Sequence, residues 1–440
     1  MSDTASHPPS HFQPVRDFFL GRQPILDRNQ ALFGYELLFR SGAAGPAGAA
    51  TDVQATDVSA TDVSATDVSA TASVIAHAAH LGLERVIGDA QGFINVDAEV
   101  LMSDIFVFLP RERVVLEIVE SMAVTEAVLE RMAELASHGF RFALNNVITD
   151  SFPVQQLLPL VDFVKLDVRD MPLSALMKLA ARFRQDGKKL VAEKVETQEE
   201  FSTCLELGFD YFQGYYFARP ALMRGRKLSP SQLAVMELMT LVTSDADNID
   251  IERAVKRDVT LALNLLRLVN TPAVGMRHRI DSVSQALTIL GRRQLQRWLQ
   301  IMLYAEPARR GYSMTPLLML ATTRGRLLEL LAQRLRPSQR NVADIAFTVG
   351  IMSLMDTLFG MPMNEIMDQL PVSDEVAQAL LQRSGFFGEL LHLAECIERM
   401  EDMEDQVAPV LRELAMSGDE LGELEVAAFE WSDQVVRYAI

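Results

Sequence analysis

The order of short β-rich runs and helical stretches in the first half of the chain constrains its fold most strongly. Most of the β-rich runs are separated by stretches with helical periodicity, such as 124–137, 173–185 and 197–207. Strand–helix alternation is typical of a parallel sheet, and eight strands in about 200 residues predict a closed, TIM-like (β/α)₈ barrel. The runs between residues 17 and 217 are DFFLGRQPI, ALFGYELLF, GFINVD, VVLEIVE, RFALNNV, FVKLDV, KLVAEKV and YFQGYYF.

The second half of the chain has a different pattern. Beyond about Leu222 almost every segment to Ile440 has helical spacing, and Ser229-Pro230 is a helix-start signal. We therefore expect an α/β domain followed by an all-α bundle, joined by the basic, glycine-containing link 224–227. The predicted division is a loose polar tail over 1–14, a barrel over 15–223 and a helical domain over 228–440.

The barrel segment contains one low-complexity insertion. Residues 51–70 read TDVQATDVSATDVSATDVSA, a five-residue unit repeated four times. On a helix each step of five residues turns by about 140°, so the valines of the repeat do not share one face. Each copy also adds one Asp. The repeat therefore predicts an expanded loop that contributes nothing to a core.

Charge and cysteine content exclude several classes of function. The net charge is −18, from 41 Lys plus Arg against 59 Asp plus Glu, which disfavours contact with long nucleic acid. The two cysteines, Cys204 and Cys396, lie far apart and form no metal-binding motif. The N-terminal stretch lacks the apolar core of a secretory signal, and no uncharged apolar run reaches about 18 residues. We expect a cytoplasmic protein that does not span a membrane.

Polar residues gather where the predicted strands end. In a barrel of this type the reactive side chains lie at the carboxyl ends of the strands, so these residues predict a polar barrel mouth. Carboxylate and carbonyl oxygens are the ligands that Mg²⁺ and Mn²⁺ prefer. The residues are Glu36, Asn95, Glu117, Asn145, Asn146, Lys165, Asp167, Glu193, Glu196 and Gln213.

The motifs GYELLFR, GFINVD, VVLEIVES, ALNNV, VKLD, AEKVE and FQGYYFARP, in this order, resemble those of the EAL-domain family, bacterial phosphodiesterases that hydrolyse cyclic di-GMP. The resemblance implies a metal site formed by Glu36, Asn95, Glu117, Glu193 and the positions of Asn145 and Asn146. It implies that Lys165 contacts the attacking water and that Gln213 supports the site. It places Gln23 and Arg40 at positions that contact the dinucleotide.

The sequence departs from the family at one motif. Where family members carry an Asp-Asp pair and a glycine-containing loop, this chain has Asn145-Asn146 followed by Val147 and Ile148. Two metal ions held about 3.5–4 Å apart need anionic ligands to offset their repulsion. At an effective dielectric near 20, a unit charge about 4 Å from another contributes about 4 kcal/mol, and more beside a dication. We expect weakened affinity for Mg²⁺ or Mn²⁺, with at most one ion on Glu36, Asn95, Glu117 and Glu193.

The helical half resembles a second family. Residues 265–303 and, more weakly, 344–356 resemble HDOD domains, which are related to HD phosphohydrolases but lack the His-Asp metal dyad. No His-Asp dipeptide occurs in this chain, and this half contains only His278 and His392. We expect His278 at the surface and His392 in helix packing. The arginines 277, 279, 292, 293 and 297 are expected either to receive an anionic partner or to pair with local carboxylates.

Three functions remain open at this point. The first is a signalling protein whose degenerate EAL domain has lost most of its activity and works with HDOD as a binding or scaffolding module for a protein partner. The second is an active metal-dependent phosphodiesterase that uses Lys165 and Glu36. The third is a sensor that binds cyclic di-GMP through Gln23 and Arg40 without hydrolysing it.

Overall fold

The barrel predicted for the first half of the chain is present and closed in a computed structural model. The model describes residues 18–41, 83–103, 106, 109–119, 122–169, 171–218, 230–244, 246–271, 279–304, 316–368, 370, 372–399, 407 and 409–438. The tail 1–14, the repeat 51–70, the link 224–227, Arg277 and His278 lie outside these residues. Our predictions for those segments, and the domain bounds that depend on them, remain predictions.

Eight strands close the barrel in sequence order. The six neighbouring pairs from β2 to β8 run parallel, whereas β1 pairs antiparallel with both β2 and β8. The strands are β1 (Phe18–Asp27), β2 (Leu32–Ser41), β3 (Gln91–Val96), β4 (Val114–Val119), β5 (Arg141–Asn145), β6 (Phe163–Asp167), β7 (Lys189–Glu193) and β8 (Tyr211–Gln213).

The antiparallel first strand departs from the all-parallel barrel that we predicted, and a tight turn explains it. Asp27 accepts hydrogen bonds from the backbone N–H groups of Asn29 and Ala31 at 2.8 and 2.9 Å, which fixes a hairpin between β1 and β2. A parallel crossover needs a dozen or more residues, so strands joined by so short a turn pair antiparallel.

Two predicted strands are shorter than their apolar runs. β5 ends at Asn145, because Asn146 has φ 56°, a left-handed conformation that stops an extended strand. β8 ends at Gln213, and the rest of YFQGYYF turns at Gly214 into a 3₁₀ helix, Tyr216–Ala218. Gly214 has φ 145°, and a Cβ there would lie 2.1 Å from the Val195 carbonyl oxygen.

Helices follow the parallel strands. Thr197 and Thr125 cap two of them through their hydroxyls, and Thr197 and Glu200 form a capping box. The barrel helices are α1 (Leu83–Ile87), α2 (Ala98–Leu101), α3 (Glu126–Ser137), α4 (Phe152–Leu157), α5 (Leu173–Gln185) and α6 (Gln198–Leu207).

The described part of the second half is helical, as predicted. Its helices are α7 (Pro230–Thr243), α8 (Asn248–Arg257), α9 (Val259–Val269), α10 (Val283–Tyr304), α11 (Pro316–Leu335), α12 (Arg340–Met352), α13 (Met355–Phe359), α14 (Met363–Met367), α15 (Asp374–Gln382), α16 (Gly385–Glu398) and α17 (Gly418–Tyr438). Within the described residues one stretch, Asn341–Phe359, is apolar and long enough to cross a membrane, but 72% of it is buried inside the fold, as in a core helix.

Candidate functional site

The barrel interior consists of an apolar layer and, two residues further along most strands, a polar layer. Because side chains alternate along a strand, residues two apart point the same way. The apolar layer is a separate cluster of buried residues, Ile25, Phe93, Val115, Ala143, Phe163 and Val191. In β3 to β7 the positions two residues after this layer are Asn95, Glu117, Asn145, Lys165 and Glu193. The sequence therefore lines the barrel mouth with these side chains.

Lys165 forms the centre of the polar layer. Its ammonium nitrogen Nζ lies 2.7 Å from a carboxylate oxygen of Glu36, 2.7 Å from one of Glu117 and 2.8 Å from one of Glu193. The Lys165 side chain has no exposed surface, and neither has that of Glu117. One buried cation is thus shared by three carboxylates from three strands.

Amide side chains complete the network around the carboxylates. Asn95 donates to Glu36 at 2.8 Å, and Gln213 donates to Glu36 at 2.6 Å and also to Gln23. Asn145 donates to the Asn95 side-chain oxygen at 3.2 Å and to Glu117 at 3.3 Å. Asn145 therefore presents a neutral N–H donor to Glu117, where a carboxylate would bring negative charge.

Burial and the shared cation separate the pKa values of the carboxyl groups. Burial acts to raise the pKa of Glu36, but the Lys165 charge and hydrogen bonds from Lys165, Gln213 and Asn95 lower it to about 2. Burial and the charge of Glu36 raise the pKa of Glu117 well above its usual value, against the attraction of Lys165. Burial also raises the pKa of Glu193. Burial opposes the charged form of Lys165, but the three glutamates raise its pKa.

The rim of the mouth holds two further ion pairs. Asp167 is buried and lies 2.5 Å from the ammonium of Lys194, a residue in the left-handed conformation with φ 55°. Glu196 lies 3.2 Å from Arg169. We predicted Asp167 and Glu196 near the site, but not their basic partners. Lys194 directly follows β7 and Arg169 lies two residues after the end of β6, so the rule that identified the acidic residues applies to both partners as well.

Not every predicted residue is part of the cluster. Asn146 is exposed in the left-handed turn after β5, whereas the next residue, Val147, is buried and donates its N–H to the Lys165 carbonyl at 3.3 Å. Ile148 is 58% exposed. Arg40 pairs with Phe19 between β1 and β2, but its side chain lies outside the described residues. Only one of the two adjacent asparagines therefore faces the polar layer.

The donor set at the mouth has residue types that divalent cations prefer. Glu36, Asn95, Glu117 and Glu193 offer hard oxygen ligands from neighbouring strands, which suits Mg²⁺ or Mn²⁺. Among the described residues, however, no three His, Cys, Asp or Glu side chains stand ready to hold a metal ion. The carboxylates are instead turned toward Lys165 and the amides. An ion at this position would have to share those carboxylates with Lys165.

The polar residues predicted in the helical half are in local contacts. Arg292 donates to the Ala246 carbonyl, Arg293 lies 3.1 Å from Asp344, and Arg297 binds Glu329 through two nitrogens at 2.8 and 2.5 Å. These contacts favour local pairing over an anionic partner for the three arginines. His392 is half-buried, and its Nε2 lies 3.6 Å from the Cys396 sulfur on the same helix, which fits a packing residue.

An eight-stranded barrel with an antiparallel first strand and this polar mouth, followed by a helical bundle, defines the class of protein. Residues 15–220 match the EAL domain family, and residues 228–369 match the HDOD domain family. The chain is therefore an EAL–HDOD protein, as its motifs indicated.

Two relatives share this architecture over most of their length. The Vibrio cholerae protein named cyclic di-GMP phosphodiesterase CdgJ is 29% identical over 98% of this chain and 96% of its own. The Bacillus subtilis protein YuxH, which is uncharacterized, is 28% identical over 86% of this chain and 90% of its own. Among solved structures, the Bacillus subtilis YkuI protein, crystallised with cyclic di-GMP and calcium, is 21% identical, with a TM-score of 0.37 over 62% of this chain and 71% of its own.

Proposed function

We propose that this chain is a cytoplasmic bacterial signalling protein whose EAL barrel has little or no phosphodiesterase activity. In this proposal the barrel works with the HDOD domain as a binding or scaffolding module for a protein partner. The proposal rests on the contacts in the barrel mouth. Lys165 forms ion pairs with Glu36, Glu117 and Glu193, and the Asn145 side-chain amide donates a hydrogen bond to Glu117.

Charge explains why this mouth is a poor two-metal centre. A two-metal hydrolase relies on both ions to stabilise the attacking and leaving oxygens of an in-line displacement. Here Lys165 already neutralises part of the carboxylate charge, and Asn145 adds none. One Mg²⁺ or Mn²⁺ on Glu36, Asn95, Glu117 and Glu193 is compatible with the residue types. The ligands carry too little negative charge to hold a second ion beside it.

An active phosphodiesterase is the second candidate. It is favoured by the name of the Vibrio cholerae relative and by the meeting of Glu36, Glu117, Lys165 and Gln213 in one cluster. In that case Lys165 would position the attacking water and Glu36 would bind the metal. A third candidate, binding of cyclic di-GMP without hydrolysis, would use Gln23 and Arg40 at the mouth.

The test is turnover by the purified full-length protein. Cyclic di-GMP is incubated with the protein and Mg²⁺ or Mn²⁺, and the linear dinucleotide is followed by chromatography. We expect no sustained product formation, and a Glu117→Gln variant serves as the inactive reference. Metal-dependent turnover that the Glu117→Gln change abolishes would overturn the proposal in favour of the enzyme. Saturable binding of the dinucleotide without product would favour the sensor.

A further inference from the structure

A cavity of about 260 Å³ lies within the helical half of the chain. Its described wall is formed by α7, α10, α12, the first turn of α15 and the segment that leads into α15. None of the described lining residues belongs to the barrel. Pockets for drug-sized ligands have volumes of roughly 300–1,000 Å³, so this one suits a smaller molecule of one or two rings.

The wall combines a polar stripe with apolar side chains. Gln296 and Gln300 lie one turn apart on α10, and Asp344 and Thr348 lie one turn apart on α12. Residues four apart on a helix share a face, and the contact between Gln300 and Thr348 at 3.2 Å joins the two pairs into one stripe. The buried apolar residues of the wall include Met239, Met352, Leu370 and Val376.

The hydrogen bonds of Thr348 fix the orientation of the Gln300 amide. The Thr348 hydroxyl donates its single hydrogen to the Asp344 backbone carbonyl at 3.1 Å. It must therefore accept from its other neighbour, the Gln300 Nε2, because a hydroxyl has only one hydrogen to donate. The amide nitrogen of Gln300 is thus directed at Thr348, and its oxygen Oε1 is left for another partner.

The Gln300 Oε1 is an acceptor that a molecule in the pocket can reach. Gln300 is only 2% exposed, and no described residue donates to its Oε1. This oxygen is also not among the unpaired side-chain atoms that the fold encloses completely. A nearly buried acceptor that faces a pocket and has no protein donor favours a ligand that donates a hydrogen bond.

Gln296 adds a donor beside this acceptor. Among the described residues its side-chain amide has no hydrogen-bond partner, and an amide both donates and accepts. Side chains one helical turn apart are about 5–6 Å from each other at Cβ. The edge of a cyclic amide, in which an N–H group lies next to a carbonyl, therefore matches the two glutamines: the N–H donates to Gln300, and the carbonyl accepts from Gln296.

The charges of the wall disfavour an anionic ligand. Asp344 is the only charged residue among the described residues that line the pocket. Arg293 lies 3.1 Å from the Asp344 carboxylate, so this negative charge already has a partner. A carboxylate or phosphate would enter the pocket without a free cation to neutralise it, and a buried charge without a partner is costly.

We infer that this pocket of the helical bundle binds a small uncharged cyclic amide of one or two rings, of the kind found in pyrimidine and purine bases. Gln300 accepts from the ring N–H, Gln296 donates to the ring carbonyl, and the faces of the ring pack against Met239 and Met352. The site is separate from the barrel mouth and does not depend on whether the barrel hydrolyses cyclic di-GMP.

The test compares three matched probes on the full-length protein. Uracil is an uncharged cyclic amide, 1,3-dimethyluracil keeps both carbonyls but has no N–H, and orotate adds a carboxylate to the uracil ring. Each is titrated and followed by saturation-transfer NMR. We expect saturable binding of uracil and at least about tenfold weaker binding of the other two. Dimethyluracil leaves Gln300 without a donor, and orotate brings an uncompensated charge.

Three outcomes would overturn the inference. Equal or tighter binding of 1,3-dimethyluracil would remove the need for a donor, and equal or tighter binding of orotate would contradict the charge argument. The third outcome is that neither uracil nor hypoxanthine, its two-ring counterpart, binds saturably at millimolar concentration. The pocket would then hold only solvent.

Variants locate the binding in the pocket. Thr243→Trp places a large ring in the pocket from an exposed wall position and should abolish uracil binding. Its matched control is Ser244→Trp, the exposed neighbour outside the wall, which should bind uracil as the wild type does. Gln300→Met keeps the shape but removes the acceptor and should weaken binding at least about tenfold. Gln294→Met, at an exposed position on the same helix, should leave it unchanged.

Thermal unfolding of each variant shows whether it is folded. Unchanged uracil binding in folded Thr243→Trp or in folded Gln300→Met would contradict the assignment. An equal loss of binding in Ser244→Trp or Gln294→Met would contradict it as well, because those side chains do not line the pocket.

Discussion

The Lys165 ammonium determines the energetics of the barrel mouth. It is the cation that the carboxyl groups of Glu36, Glu117 and Glu193 share, at 2.7 to 2.8 Å. Removing one partner of a buried ion pair leaves uncompensated charge and typically costs about 3–5 kcal/mol. We therefore expect Lys165→Met to lower the free energy of unfolding by about that amount in urea titrations.

A surface lysine provides the control for that measurement. Lys189 lies 2.8 Å from Asp210, but its side chain is 56% exposed. Exposed ion pairs contribute little because water solvates both charges, so Lys189→Met should change stability by less than about 1 kcal/mol. If the two variants lost the same free energy of unfolding, the buried network would contribute no more to stability than an exposed ion pair.

The two adjacent asparagines should respond differently to the same substitution. Asn145 contacts Asn95 and Glu117, whereas Asn146 is exposed in the turn that follows. A carboxylate at position 145 would add a negative charge beside the donor set, so Asn145→Asp should tighten Mn²⁺ binding at least about tenfold by calorimetry. Asn146→Asp should change the affinity for Mn²⁺ much less. Tighter Mn²⁺ binding in Asn146→Asp but not in Asn145→Asp would show that the exposed position 146 supplies the missing ligand.

At the scale of elements, the turn after β8 holds Gln213 in place. Gly214 has φ 145°, the Val195 N–H donates to the Gln213 carbonyl at 3.0 Å, and the Tyr216 N–H donates to the Val195 carbonyl at 3.1 Å. A Cβ at Gly214 would lie 2.1 Å from that last oxygen. We expect Gly214→Ala to cost more than about 2 kcal/mol in thermal or urea unfolding, because the backbone itself must move.

Gly187 is the matched control for crowding. It also has positive φ, 73°, but a Cβ there would meet no atom within 4 Å. Gly187→Ala should cost only the strain of the left-handed conformation, about 1–2 kcal/mol. If Gly187→Ala lowered the free energy of unfolding as much as Gly214→Ala, the backbone conformation alone would explain both losses. The close approach to Val195 would then contribute nothing.

Strand positions could be predicted from the sequence, whereas side-chain partners could not. The β-rich runs located all eight strands, because buried strands need continuous apolar residues. The period of two along a strand would also have separated Asn145 from Asn146, a signal that our sequence analysis did not use. The pairing of Lys165 with Glu36, 129 residues away, depends on barrel closure and has no local signal.

At the scale of the whole molecule, Arg324 joins the two domains. It binds Glu398 at 2.9 and 2.5 Å and Ser353 at 2.7 Å, and Tyr215 of the barrel donates its hydroxyl to the same glutamate. Tyr215 lies two residues after Gln213, so this contact ties the bundle to the turn that positions the barrel site. The three partners come from distant parts of the sequence, which is why the contact could not be predicted.

Breaking this contact should uncouple the domains. We expect the wild-type chain to unfold in one calorimetric transition and Arg324→Met to unfold in two. In the variant, Glu398 loses its buried cationic partner, and Tyr215 loses a contact with the bundle. The control is Arg334→Met, which removes an exposed pair with Glu420 and should leave one transition. A single, unshifted transition in Arg324→Met would contradict a coupled interface.

The number of Mn²⁺ ions bound in the barrel mouth tests the central claim most directly. The full-length protein is titrated with Mn²⁺ in the presence of cyclic di-GMP, and bound ions are counted by electron paramagnetic resonance while product is followed in the same sample. We predict at most one bound ion per chain and no sustained hydrolysis, because Lys165 and Asn145 leave too little negative charge for a second. Two bound ions together with continuing hydrolysis would contradict this account.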